Sequence, residues 1–314
     1  MSSTSPSPPR PLGRRRTLRQ SEARAAWAVS LPALLLLTVF LIVPFVLAFV
    51  LAFTDQRLIP NPRLPTEFVG LRNFRRILED PTFQRALLNN FAFAAFVVPL
   101  QSALALGMAM LVNRRIRGSL VFRTIYFSPV VTTMVVVSAI WFLLYNPDEG
   151  FINAFLSAIS FGTIPAIEWL QDTRTALLAI GILSVWQGVG FQMVIFLAGL
   201  QEIPVQLYEA ARIDGANRVQ TFWNITLPSL RNTTIFVIIS TTILAFRLYD
   251  QVKIMTQGGP QNATQTVVYQ IERVGFSQLR VGYASALTVV FFLIVLAVAM
   301  LQRRFLREER TVRE

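Results

Sequence analysis

Charged residues divide this chain into long neutral runs separated by short polar segments. Ala25–Thr54 is uncharged for 30 residues, Ala86–Asn113 for 28, Thr124–Pro147 for 24, Thr175–Gln201 for 27 and Val281–Gln302 for 22. A helix that crosses a bilayer needs about 20 mostly apolar residues, so each run predicts a span. Asn232–Phe246 is shorter, 15 residues between Arg231 and Arg247. It predicts one more span if Arg247 snorkels toward the interface or faces the bundle interior. Gly150–Ile167, with Gly162 and Pro165 near its end, predicts a segment that does not cross. The pattern therefore predicts an all-α membrane protein with six transmembrane helices at about 27–53, 87–112, 121–144, 176–200, 232–250 and 282–301.

The basic residues orient these spans, because loops on the inner side carry the excess of Lys and Arg. With the N-terminus inside, the inner segments hold 18 basic and 7 acidic residues and the outer ones 11 and 10, so +11 of the total +12 lies on one face. Were 151–167 to span, the cluster Arg303, Arg304, Arg307, Arg310 and Arg313 would fall outside. Both termini are thus expected to be cytoplasmic. Residues 1–26, with Pro6, Pro8, Pro9, Pro11 and the run Arg14, Arg15, Arg16, are expected to form a disordered basic tail, and 303–314 a second basic tail. The first neutral run exceeds the roughly 7–15 residues of a signal-peptide core and is expected to remain as the first span.

Composition agrees with a membrane chain: 54% hydrophobic and 15% charged, where soluble domains carry about a quarter charged residues. The positive charge, divided among tails and loop mouths, is a topology signal, and no nucleic acid is expected. Without a single His or Cys, the chain lacks His- or Cys-based nucleophilic triads, thiolate or imidazole metal sites and the usual near-neutral proton shuttle. No acidic pair lies within a span and no Gly-x-x-x-x-Gly-Lys-Ser/Thr phosphate loop occurs. Neither an enzyme, a cofactor nor a metal is expected, and any ATP hydrolysis belongs to another polypeptide.

Outside the membrane, Phe68-Val69-Gly70-Leu71-Arg72-Asn73-Phe74 leads into a predicted amphipathic helix through Phe74, Ile77 and Leu78, while Trp141 and Trp169 are expected as interfacial anchors. Inside, the loop 201–231 is the informative one. Pro204 suits a first helical turn; Leu207, Ala210 and Ala211 follow at helical spacing, and Asp214-Gly215 signals a stop. A second helix runs through Val219, Phe222, Trp223 and Ile225 and is expected to stop at Pro228. Two short amphipathic helices leave more apolar surface than a solvated loop carries, and call for a protein partner.

These residues resemble a known pattern. Glu209-Ala210-Ala211, Asp214-Gly215-Ala216, then Phe222, Ile225, Leu227 and Pro228, preceded by Leu200-Gln201-Glu202-Ile203-Pro204, are similar to the EAA loop of permease subunits in binding-protein-dependent ABC importers. Thr256-Gln257-Gly258-Gly259-Pro260 with Ala263-Thr264, and the Phe68–Phe74 stretch, resemble carbohydrate permeases of the maltose and glycerol-phosphate type. The resemblance implies that this loop docks on a cytoplasmic ATPase. Glu209 would offer a carboxylate to a basic group, Ala210 and Ala211 would allow close helix approach, and Gly215 would supply the bend. It further implies a second permease subunit, two copies of the ATPase, an extracytoplasmic solute-binding protein touching loops 54–86 and 247–281, and a sugar as cargo. A polyol phosphate or another solute stays open, as does an ion-coupled transporter, for which Asp250 is the one candidate carboxylate.

Polar side chains inside spans are costly and tend to face the bundle interior. Trp186, Gln187, Gly188, Phe191 and Gln192 on one side of the loop, and Thr241, Leu244, Ala245 and Leu248 on the other, are the candidate substrate pathway, placed by distance from the family motifs. Close helix packing is the competing reading of the same residues, and the preferred one for Asn89, Asn90 and Gln101.

Overall fold

A computed structural model describes residues 13–59, 65–113 and 119–306. Residues 1–12 of the first tail, Pro60, Pro62, Arg63, the loop arginines Arg114, Arg115 and Arg117, and 307–314 of the second tail lie outside the described residues. Within them the chain is helical apart from loops and one isolated bridge, Thr54 to Phe68.

The first neutral run forms α1 (Gly13–Leu37), a wide π turn at Thr38–Ile42 and α2 (Val43–Leu51). The π turn precedes Pro44, whose missing N–H breaks the normal ladder. Helix extends back to Gly13, where an irregular tail was expected up to residue 26; no proline lies between residues 13 and 26 to oppose it. After α3 (Arg72–Glu79), Asp80 caps α4 (Pro81–Val112) by accepting from the Thr82 N–H at 2.9 Å. In α3, Phe74 packs on Phe53 and Ile77 is buried, whereas Leu78 points outward, 73% exposed.

The expected span at 121–144 is two helices, α5 (Ser119–Val131) and α6 (Met134–Leu144), meeting at 96°. Pro129 removes one amide from the last turn of α5, and Thr133 is extended. Then α7 (Phe151–Ile159), nine residues or about 14 Å, is too short to cross. The long α8 (Ala176–Glu202) leads into the loop helices α9 (Val205–Ile213), α10 (Arg218–Thr221), a π turn at Phe222–Thr226, and α11 (Leu227–Ser229). The fifth crossing is broken: α12 (Arg231–Phe246) and α13 (Asp250–Met255) flank an irregular Arg247–Tyr249. Finally α14 (Val267–Glu272), a π turn at Arg273–Ser277 and α15 (Val281–Leu306) close the chain. Among the described residues five helical stretches are long and apolar enough to cross a membrane, and the bent α5–α6 pair makes a sixth if counted as one.

α8 is the central element, packed on α4, α5 and α12. In lipid, helices gain little by hiding apolar surface from one another, so close packing and small residues set their association. Buried Ala105 and Ala109 of α4 face α8, and a Cβ on Gly190 would fall 2.1 Å from the Tyr126 carbonyl oxygen of α5. Two apolar clusters result. One gathers Val97, Leu183, Phe246 and Leu287; the other gathers Ala105, Met193, Phe196, Leu230 and Val237.

Candidate functional site

Between the two clusters the interior is polar. Gln101 of α4 donates from Nε2 to Oε1 of Gln192 of α8 at 2.6 Å, and Gln192 Nε2 donates to Oγ1 of Thr241 of α12 at 3.0 Å. All three side chains are at most 5% exposed. This amide ladder ties three spans at one level, where an unpaired amide would be costly. Gly188 leaves room beside it: a Cβ there would come within 2.4 Å of Gln101 Nε2 and push that amide aside.

The ladder forms part of the wall of a cavity of about 330 Å3. Of the nine expected pathway residues, Gln187, Gly188, Phe191, Gln192, Thr241, Leu244, Ala245 and Leu248 line it. Trp186 does not: its ring lies 5.5 Å from Trp141, which continues to Tyr145 and Trp169 in a row of ring contacts. Trp169 also donates to Asn153 Oδ1 at 2.8 Å. Trp141 and Trp169 are thus also parts of this packed aromatic row.

The cavity also holds residues that sequence reasoning did not assign to it: Gln101, Ser184, Arg247, Asp250 and Gln251. Gln251 Nε2 donates to Ser184 Oγ at 3.2 Å, and Gln187 Nε2 to the Pro129 carbonyl at 3.4 Å. Arg247 and Asp250 sit where α12 breaks, and broken spans are where membrane proteins build solute sites. The rule that intramembrane polar groups face inward would have found Gln101. Asn89 and Asn90 do hold structure together. Asn89 Nδ2 donates to the carbonyls of Asn262 and Gln265, and Asn90 donates to the Phe246 carbonyl while accepting from the Val267 N–H. They fasten the segment after Gly258-Gly259-Pro260 onto α4.

The loop 201–231 is a second, separate arrangement. α9 ends in a Schellman motif: the Ala216 N–H donates to the Ala211 carbonyl, the Gly215 N–H to that of Arg212, and Gly215 takes φ +73°. Asn217 then opens α10 with a capping box, exchanging 2.8 and 2.9 Å bonds with Gln220. Pro228 does not stop the helix, as the sequence suggested. The π turn at Phe222–Thr226 absorbs its missing amide, and the helix runs on to Ser229. Tyr208 and Thr226 hydroxyls, 3.2 Å apart, tie α9 to this turn. Of the expected coupling residues, Ala211 is buried inside the loop and Ala216, Phe222 and Leu227 are half-buried. Glu209, Ala210, Asp214, Gly215 and Pro228 face outward.

Comparison with known proteins places the chain in a family. The family described as binding-protein-dependent transport system inner membrane component matches residues 101–311. The trehalose/maltose transport system permease protein MalF of Thermococcus litoralis is 34% identical over 284 residues, 89% of this chain and 92% of its own. The sn-glycerol-3-phosphate transport system permease protein UgpA of Pectobacterium atrosepticum is 32% identical over 292 residues, 91% and 96% respectively. In fold the chain matches a crystal structure of a bacterial ABC transporter involved in import of the acidic polysaccharide alginate. The TM-score is 0.80 at 20% identity, over 95% of this chain and 100% of that one.

Proposed function

Because this chain belongs to the family of binding-protein-dependent transport system inner membrane components, we propose that it carries a sugar through the mid-span cavity by alternating access, driven through the loop 201–231. It is a multi-pass membrane subunit of an ABC importer, a transport component and not an enzyme, and the ATPase is a separate partner. The observation that carries the proposal is convergence. Residues 187–192 and 241–248, on opposite sides of the loop in sequence, meet around one cavity.

The cavity suits a polyhydroxylated solute. Gln101, Gln187, Gln192 and Gln251 supply amides that both donate and accept, and Phe93 and Phe191 supply faces for C–H surfaces. Arg247 and Asp250 contribute one charge of each sign, so the lining has no net charge to select an anion. That favours a neutral sugar over a polyol phosphate. The cavity contains a single carboxylate, a weak basis for coupling to an ion gradient.

The helices that line the cavity also carry the loop. From Gln192 to the end of α8 at Glu202, and from the start of α12 at Arg231 to Thr241, each path is ten residues, about 15 Å. Leu200 and Leu230 lock both paths into the second apolar cluster. A rotation of the loop is thereby passed to the amide ladder as a rigid movement. In this reading the loop and both termini are cytoplasmic. Glu209 meets a basic group of the ATPase, and a second permease completes the pathway. A solute-binding protein delivers cargo to loops 54–86 and 247–281.

Glu209→Lys is expected to lower uptake and binding-protein-stimulated ATP hydrolysis together, by tenfold or more, with the assembled protein still present in the membrane. Normal values of both in that variant would remove the coupling assignment. Thermal shifts of the associated binding protein against sugars and polyol phosphates name the cargo class. Uptake that persists without ATP, on an ion gradient alone, would overturn the importer mechanism.

A further inference from the structure

A second cavity, of about 480 Å3, opens where the first turns of α4 meet the start of α8. Its polar end is basic: Arg85 comes from α4, and Thr173 and Arg174 from the turn before α8. No Asp or Glu lines it, and among the described residues neither guanidinium has a carboxylate partner. Asp172, next in sequence, has its Oδ1 occupied by the Arg174 backbone N–H at 2.8 Å. Away from this end the lining, Asn89 apart, turns apolar, with Leu88, Ala92 and Phe96 spaced four residues apart along one face of α4. Leu88 is 62% exposed.

The dimensions select the occupant. From Arg85 to Phe96 is eleven residues, about 16 Å along the helix, or half of a hydrocarbon core about 30 Å thick. The groove thus has a cationic head at the end of a span and an apolar track one leaflet deep. Guanidinium groups pair with phosphate through two parallel hydrogen bonds, so two guanidinium groups without a carboxylate partner at the outer mouth of the spans suit an anionic headgroup. We infer that this groove binds one anionic phospholipid, its phosphodiester held between Arg85 and Arg174 and an acyl chain laid along Leu88, Ala92 and Phe96. Phe93 lines this groove and the solute cavity alike, so the lipid lies one side chain from the transport path.

The test uses the complete importer purified in detergent, by native mass spectrometry and by thermal unfolding with phosphatidylglycerol or phosphatidylcholine added. The unaltered protein is expected to retain phosphatidylglycerol and to melt higher in its presence than with phosphatidylcholine. The Arg85→Gln, Arg174→Gln double variant is expected to carry one anionic lipid fewer and to lose that rise. Ala92→Trp, which fills the track with both arginines intact, is expected to lose the same lipid, and covers the case in which the double variant does not assemble. Retention by either variant equal to that of the unaltered protein overturns the proposal. So does an equal rise with water-soluble glycerophosphate, which would make the site one for a free anion. Disulfide crosslinking of a Leu88→Cys variant to a cysteine in the second permease subunit overturns it as well, since that subunit would then fill the groove.

Discussion

The mid-span cavity and the loop 201–231 depart from the ordinary distribution of polarity in opposite directions. In the cavity, amides stand where lipid-embedded helices are apolar, yet the ladder Gln101–Gln192–Thr241 is bonded within the chain. In the loop, Val205, Ile213, Val219 and Trp223 are 58%, 87%, 67% and 60% exposed where a solvated segment would be polar. Its backbone, by contrast, is fully organised by the Schellman turn and the capping box. The cavity's polar ladder is therefore bonded from within the chain, and the loop is an ordered shape that leaves an apolar face exposed. A change in the cavity should register in the stability of this chain, and a change on the loop face in its association with a partner.

The sharpest way to break that contrast is to remove the exposed face of the loop. A Val219→Ser, Trp223→Ser double variant is expected to weaken association with the ATPase by about 2–4 kcal/mol, because buried aromatic anchors dominate interfaces. Unfolding of the chain without its partner should shift by no more than about 0.5 kcal/mol, as for ordinary surface positions. Co-purification and thermal melts measure the two. A lower melt with unchanged association would mean that these side chains pack within the chain after all.

Gln192→Leu makes the opposite test. It strands Gln101 Nε2 and Thr241 Oγ1 and should cost about 1–2 kcal/mol of stability, between the penalty for a buried unsatisfied group and the smaller values found for bonds between membrane helices. Adding Gln101→Leu should restore part of the loss, since the orphaned amide is then gone; a non-additive pair of this kind measures the contact directly. Strictly additive losses would mean that the amides stabilise the fold independently and that the ladder is incidental.

How much of this was legible in the sequence follows from which interactions are local. Span ends were readable because charge marks them: the run Thr175–Gln201 became α8, Ala176–Glu202, and Val281–Gln302 lies within α15, Val281–Leu306. The loop turn was readable because Gly215 must adopt a positive φ, which is written in the residue itself. The bend at Thr132–Thr133 was not, since a neutral run of 24 residues looks the same whether straight or folded back. Nor was α13, because Arg247 and Asp250 end the neutral run while the helix resumes beyond them. Gln101 and Gln192 are 91 positions apart, and only the packing of α4 on α8 reveals them as partners. Trp186 misled for the same reason: its neighbour Trp141 comes from another span.

The smallest expected effect probes the internal order of the loop itself. The Tyr208–Thr226 bond is long for two hydroxyls at 3.2 Å, and Thr226 also reaches the Thr221 carbonyl at 3.4 Å. Tyr208→Phe therefore leaves Thr226 a partner and should cost about 0.5–1 kcal/mol. Because the bond joins α9 to the turn before α12, loosening it slackens the link between the docked face and the cavity wall without altering either. Binding of the ATPase should be unchanged, while uptake per ATP hydrolysed falls by roughly two- to fivefold, the factor that such an energy allows. A tenfold fall in uptake would reverse the ranking, making the internal shape of the loop count for more than the apolar surface it presents. A fall in ATPase affinity instead would show that the exposed face depends on that one hydroxyl for its form.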